Sequence, residues 1–153
     1  MDERAPTLLV IEDAQDQAIL VGVAARNAHP GLVVHIAEDG QQGIDYLSGI
    51  AALQDPPSTA TPDIVILDLE MPVVDGIGVL EWLRVEIGTP RFPVVVLTGS
   101  TDPQREARAR ELGATEVYRK PTELAGLGET VREIVTRWIK PADMLAAHMR
   151  SAG

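Results

Sequence analysis

The sequence predicts an α/β domain: a doubly wound five-stranded parallel sheet of order 2-1-3-4-5, covered by five helices. Two observations predict it. Short runs rich in β-branched residues alternate with longer segments of helical spacing, the pattern of βαβ units and a parallel sheet. Those runs are apolar throughout, as expected of strands buried on both faces, so helices must cover both sides. The right-handed crossover rule leaves few strand orders, of which 2-1-3-4-5 is our reading.

The strands are expected at Leu8–Ile11, Leu32–Ile36, Ile64–Leu67 and Val94–Leu97, with a weaker fifth at Thr115–Tyr118. The clearest helical stripes are Leu80, Leu83 and Ile87, and Leu127, Val131, Ile134, Val135 and Trp138. Asp75-Gly76 and Thr101-Asp102-Pro103 mark helix starts, the second pairing a capping side chain with a proline that suits the first turn. Gly113 suits a helix end. The Pro- and Thr-rich stretch Asp55–Pro62 reads as a surface loop, because the strand pattern resumes directly after it. Residues 1–6 are read as an N-terminal tail, 7–139 as one domain and 140–153 as a C-terminal extension.

Composition narrows the functional classes. With 45% apolar and 24% charged residues, the chain is of ordinary globular composition. It contains no cysteine, which excludes disulfides and thiolate metal sites. A net charge of −10 argues against nonspecific nucleic-acid binding and against an anionic membrane surface. No apolar run approaches the ~20 residues of a membrane span, and Met1-Asp2-Glu3-Arg4 lacks a signal-peptide pattern. A cytoplasmic protein without direct DNA binding is the expectation.

In sheets of this type ligands bind outside the carboxyl ends of the strands. Glu12 and Asp13 follow the first strand, Asp68 ends the third, Thr98 follows the fourth and Lys120 follows the fifth. Three converging carboxylates repel one another unless a hard cation joins them, and Mg²⁺ takes such oxygen ligands. A carboxylate there can act as a nucleophile toward phosphorus if nearby groups neutralise the incoming oxygens, a task that fits Lys120 and Thr98. Each residue alone reads more simply, as a cap, a turn or a surface charge; the joint placement at four strand ends carries the signal. Glu70 is a further candidate ligand. His29, His35 and His148 show no metal-like spacing, and Arg105, Arg108 and Arg110, interleaved with Glu106 and Glu111, read as a solvated helix face.

With these residues in place, the sequence resembles the receiver domain of bacterial two-component response regulators, a flavodoxin-like fold, over about Thr7 to Trp138. The carriers are Ile11-Glu12-Asp13, the run from Val65 to Gly76 (VILDLEMPVVDG), Leu97-Thr98-Gly99-Ser100 and Arg119-Lys120-Pro121. The resemblance implies Asp68 as phosphoacceptor and Mg²⁺ held by Asp13, Asp68 and the main-chain carbonyl of Glu70, with Glu12 binding directly or through water. It implies that Thr98 and Lys120 bind the phosphoryl group and that the Lys120-Pro121 peptide is cis. The family's switch aromatic stands three residues before the lysine; here that place holds Val117, with Tyr118 one step later, so a damped or rerouted switch is expected.

The resemblance further implies a signalling protein rather than an enzyme, its partner a sensor histidine kinase or a phosphotransfer protein. The long loop before the third strand and the extended tail are most similar to single-domain regulators paired with bacterial phytochrome kinases. Little chain follows Trp138, so output through the domain's own surface is expected. Met144, Leu145 and Met149 form an apolar stripe after Ile139, read as a homodimer arm. Two other readings stand beside the switch: a metal-dependent small-molecule phosphohydrolase, and a phosphate-independent receiver-like binding module. A haloacid dehalogenase-type phosphatase would want an aspartate at position 70 and a cap over its substrate; the intact Asp68, Thr98 and Lys120 set speaks against the binding module.

Overall fold

The computed structural model describes residues 5–52 and 61–139. Ten elements alternate: β1 (Thr7–Ile11), α1 (Gln15–Ala28), β2 (Val33–Ala37), α2 (Gly40–Ala51), β3 (Ile64–Leu67), α3 (Gly76–Glu86), β4 (Val94–Thr98), α4 (Pro103–Glu111), β5 (Glu116–Arg119) and α5 (Leu124–Trp138). All pairings are parallel, in the order β2-β1-β3-β4-β5. The expected fold and strand order are therefore observed. The stripe expected after Ile139 and most of the Pro/Thr-rich loop lie outside the described residues, as does His148. Among the described residues no helix is long and apolar enough to cross a membrane.

Period-two alternation sorts the apolar strands onto two cores. Leu9, Ile11, Val65, Leu67, Val94 and Val96 face α2, α3 and α4, while Leu8, Val10, Ile64, Ile66, Val95 and Leu97 face α1 and α5. The α5 stripe of Leu127, Val131, Ile134 and Val135 fills the second core as its spacing predicts. Two strands depart from the expectation of full burial. Val33 and Ile36 of β2 stay exposed and β5 is half-buried, because these are the sheet's edges and their apolar side chains are only partly covered.

The helix signals hold. Asp75 caps α3 by accepting from the Gly78 amide at 2.9 Å, and Asp102 caps α4 by accepting from the Gln104 amide at 2.9 Å, with Pro103 in the first turn. Gly113 takes φ +106°, and the Gly113 and Ala114 amides donate to the carbonyls of Arg110 and Ala109. These two bonds complete a Schellman motif that ends α4 and sets the chain toward β5.

A candidate phosphoryl and metal site at the sheet edge

Register builds the site. Ile11 pairs with Leu67, so the residues that follow, Glu12 and Asp68, emerge side by side; Thr98 pairs with Arg119, so Lys120 arrives one step beyond Thr98. The Lys120 amide donates to the Thr98 carbonyl at 2.7 Å, extending the ladder to the site. Glu12, Asp13 and Asp68 each offer an oxygen within 4.8 Å of the others, Glu12 and Asp68 buried and Asp13 exposed. This donor set, all carboxylate and open to solvent at Asp13, fits a hard divalent cation.

Lys120 stands over the carboxylates. Its Nζ donates to Glu12 Oε1 at 2.6 Å and to Gln17 Oε1 at 2.7 Å, and lies 3.5 Å from Asp68 Oδ2. Burial, followed by hydrogen bonding and repulsion from Glu12, pushes the Asp68 carboxyl up to about 7, against the opposing pull of Lys120 and the Glu70 amide. That amide donates to Asp68 Oδ1 at 3.1 Å. The Thr98 hydroxyl donates to Glu70 Oε1 at 3.2 Å and accepts from the Ser100 amide at 3.0 Å, so the Glu70 side chain turns toward the site.

The loop from Leu69 to Gly76 is held tightly. Gly76 donates its amide to the Leu69 carbonyl at 3.0 Å, and a Cβ at position 76 would lie 2.4 Å from the Asp68 carbonyl oxygen and 2.7 Å from Leu69 Cα. These are backbone atoms that cannot rotate away. Gly76→Ala is expected to cost about 1–3 kcal/mol through overpacking, read as a lower urea midpoint; a wild-type midpoint would show that the loop yields without cost. Val73, in the same loop, is fully exposed at φ +66°. For a β-branched residue this left-handed conformation costs roughly 1–2 kcal/mol.

All six predicted site residues come to this edge: Glu12, Asp13, Asp68, Glu70, Thr98 and Lys120. Three features differ from expectation. The Lys120-Pro121 peptide is trans, with no cis bond among the described residues; the trans form is intrinsically favoured by about 0.5–1 kcal/mol. Arg105 leaves the solvated face on which Arg108 and Arg110 pair with Glu111 and Glu106, and reaches the Leu69 carbonyl and Asp75 instead. Gln17, whose amide oxygen accepts from Lys120, carried no signal in the sequence, because an isolated glutamine on a helix has no distinctive pattern. Val117 packs into the core shared with α4, whereas Tyr118 packs into the opposite core, its hydroxyl accepting from Arg137 Nη1 at 3.0 Å. His29 is buried, and the exposed His35 ring lies 5.6 Å from that of Tyr46.

The family model of the response regulator receiver domain matches residues 8–132. The chain belongs to the response regulator receiver family. Its relatives include the probable methanogenesis regulatory protein FilR2 of Methanothrix harundinacea, 32% identical over 139 residues, covering 83% of this chain and 87% of that one. The chain spans only 31% to 58% of the next curated relatives it matches. Among solved structures it is similar to the Mn²⁺-bound form of response regulator Rcp1, with TM-score 0.75, 26% identity and coverage of 88% of this chain and 95% of that one. It is also similar to response regulator RPA3017 in red light signaling of R. palustris, with TM-score 0.72, 28% identity and coverage of 90% and 96%. This receiver domain therefore belongs to phosphorylation-dependent signalling, and its acidic cluster is consistent with the divalent ion of the Mn²⁺-bound relative.

Proposed function

We propose that this receiver domain is a switch that accepts a phosphoryl group onto Asp68 from a phosphohistidine of a sensor kinase or phosphotransfer protein. The observation that carries the reading is the convergence of Glu12, Asp13 and Asp68 within 4.8 Å beneath the Lys120 ammonium, with the Thr98 hydroxyl on the same edge. Asp13, Asp68 and the Glu70 carbonyl, with Glu12 directly or through water, are the groups that would hold Mg²⁺. Bound there, the ion offsets the charge of the carboxylates and of the incoming phosphoryl oxygens.

An Asp68 carboxylate oxygen attacks phosphorus while the bond from phosphorus to the donor's imidazole nitrogen breaks, and the imidazole leaves with the electron pair. Lys120 exchanges its bonds to Glu12 and Gln17 for the phosphoryl oxygens. Thr98 releases Glu70 and donates a hydrogen bond from its hydroxyl to the same group. The added charge of about −1.5 to −2 biases the loops that follow β3, β4 and β5, and the domain signals through its own surface. The likeness to RPA3017, a response regulator in red light signaling, supports a kinase that responds to red light, as one of the bacterial phytochrome type would.

The alternative of small-molecule phosphohydrolysis is disfavoured by the placement of Glu70. Its carboxylate is engaged by Thr98 and stands where such an enzyme would keep an aspartate as general acid. Incubation with Mg²⁺ and acetyl phosphate, followed by intact mass measurement, tests the reading. Wild type should gain one phosphoryl group, only when Mg²⁺ is present, and Asp68→Asn should gain none. Uptake by the Asn variant, or none by wild type, would overturn it.

A further inference from the structure

Arg105 stands in the first turn of α4, but its side chain crosses to a different element. Nη2 donates to the Leu69 carbonyl at 3.1 Å and lies 3.4 Å from Asp75 Oδ2. These partners are the two ends of the loop that follows Asp68: Leu69 begins it, and Asp75 closes it as the cap of α3. The Leu69 oxygen also accepts from the Gly76 amide, so one atom closes the loop and receives α4. Between the two anchored ends, Val73 is held at φ +66°, a conformation that persists where the surroundings over-determine it.

The other arginines of α4 do different work. Arg108 pairs with Glu111 within the helix, and Arg110 pairs with Glu106 and with Glu116 of β5 at 2.9 Å. Across the layer, β5 presents α4 with Val117, while Tyr118 is tied to Arg137 in the opposite core. The Arg105 Nε is buried and meets no acceptor among the described residues, so the grip leaves a donor that a rearranged loop can satisfy.

We propose that Arg105 couples the loop carrying Asp68 to α4, so that the phosphorylation state of Asp68 is read out as a change at the α4 surface; this rests on the reading of Asp68 as phosphoacceptor. Arg105 is a positioning residue, touching neither the metal ligands' carboxylates nor the phosphoryl group. Contraction of the site around the phosphoryl group moves the Leu69 and Asp75 ends, and the guanidinium carries that movement to the first turn of α4.

Hydrogen exchange of the α4 amides, measured with and without Mg²⁺ and acetyl phosphate and paired with intact mass on the same samples, tests the coupling. In wild type the α4 exchange rate should change by about fivefold on phosphorylation, the lower range of allosteric coupling. Arg105→Ala should still take up the phosphoryl group, with the α4 response reduced to less than about twofold. Asp75→Asn keeps an equally good cap and removes the carboxylate charge, so it should also weaken the response, and it carries the test if the alanine variant does not fold. A full α4 response in phosphorylated Arg105→Ala, or no α4 response in phosphorylated wild type, would overturn the coupling alone. Absence of phosphoryl uptake in wild type would instead overturn the reading of Asp68, and the coupling with it.

Discussion

Metal-free Asp68→Asn is expected to be more stable than wild type at pH 8, and to lose a pH dependence that wild type shows between about pH 4 and pH 7. The Asp68 carboxyl is raised from 3.8 to about 7 in the fold, chiefly by burial and then by Glu12. Below pH 3.8 it carries a proton in both the folded and the unfolded chain and contributes no penalty. Between the two values the unfolded chain has released the proton and the folded one retains it, so stability falls as pH rises, by about 1.4 kcal/mol per unit and at most about 4 kcal/mol in all. Above about 7 both states are ionised and the penalty is constant. Asparagine fills the same space without charge, and removes both the penalty and the nucleophile.

Urea unfolding in EDTA at pH 5 and pH 8 measures this difference. Parallel pH profiles for the two proteins would show that Asp68 does not titrate as its surroundings dictate. On the proposed reading Mg²⁺ binds the folded chain and not the unfolded one, so it should raise wild-type stability at pH 8 and raise that of Asp68→Asn much less.

Lys120→Met should destabilise the metal-free protein by about 3–5 kcal/mol, the usual cost of leaving one partner of a buried ion pair without the other. The lysine side chain is 14% exposed and that of Glu12 only 4%, so solvent offers little compensation once the ammonium is gone. Methionine keeps most of the aliphatic bulk, which confines the change to the charge and its hydrogen bonds to Glu12 and Gln17. Part of the loss should return with Mg²⁺, since a cation among the three carboxylates replaces some of the missing charge. Urea midpoints in EDTA and in Mg²⁺ report both effects. A loss of less than about 1 kcal/mol would place the Lys120–Glu12 pair with weak surface ion pairs.

The sequence by itself determined the alternation of strands and helices and the strand ends at which the candidate site lies, because both follow from local pattern. Apolar runs of strand length separated by helical stripes leave few windings, of which 2-1-3-4-5 is the one observed, and the ends of those runs fall at Glu12, Asp68, Thr98 and Lys120. Caps such as Asp75 and Asp102 and the turn at Gly113 were legible for the same reason: each acts within a few residues of itself.

Tertiary structure decided the contacts between distant segments. Lys120 reaches Glu12 and Gln17 across 108 and 103 residues of chain, and Arg105 reaches Leu69 across 36, none of which a periodicity can specify. Burial was likewise decided by position in the sheet: β2 reads as an apolar run and β5 as a weaker one, and both stand at the edges, where partners cover them only in part. Arg105 shows the physical reason most plainly. Its charge pattern matches that of its neighbours on α4, and only the approach of the loop after Asp68 gives its guanidinium a carbonyl and a carboxylate to bind in place of water.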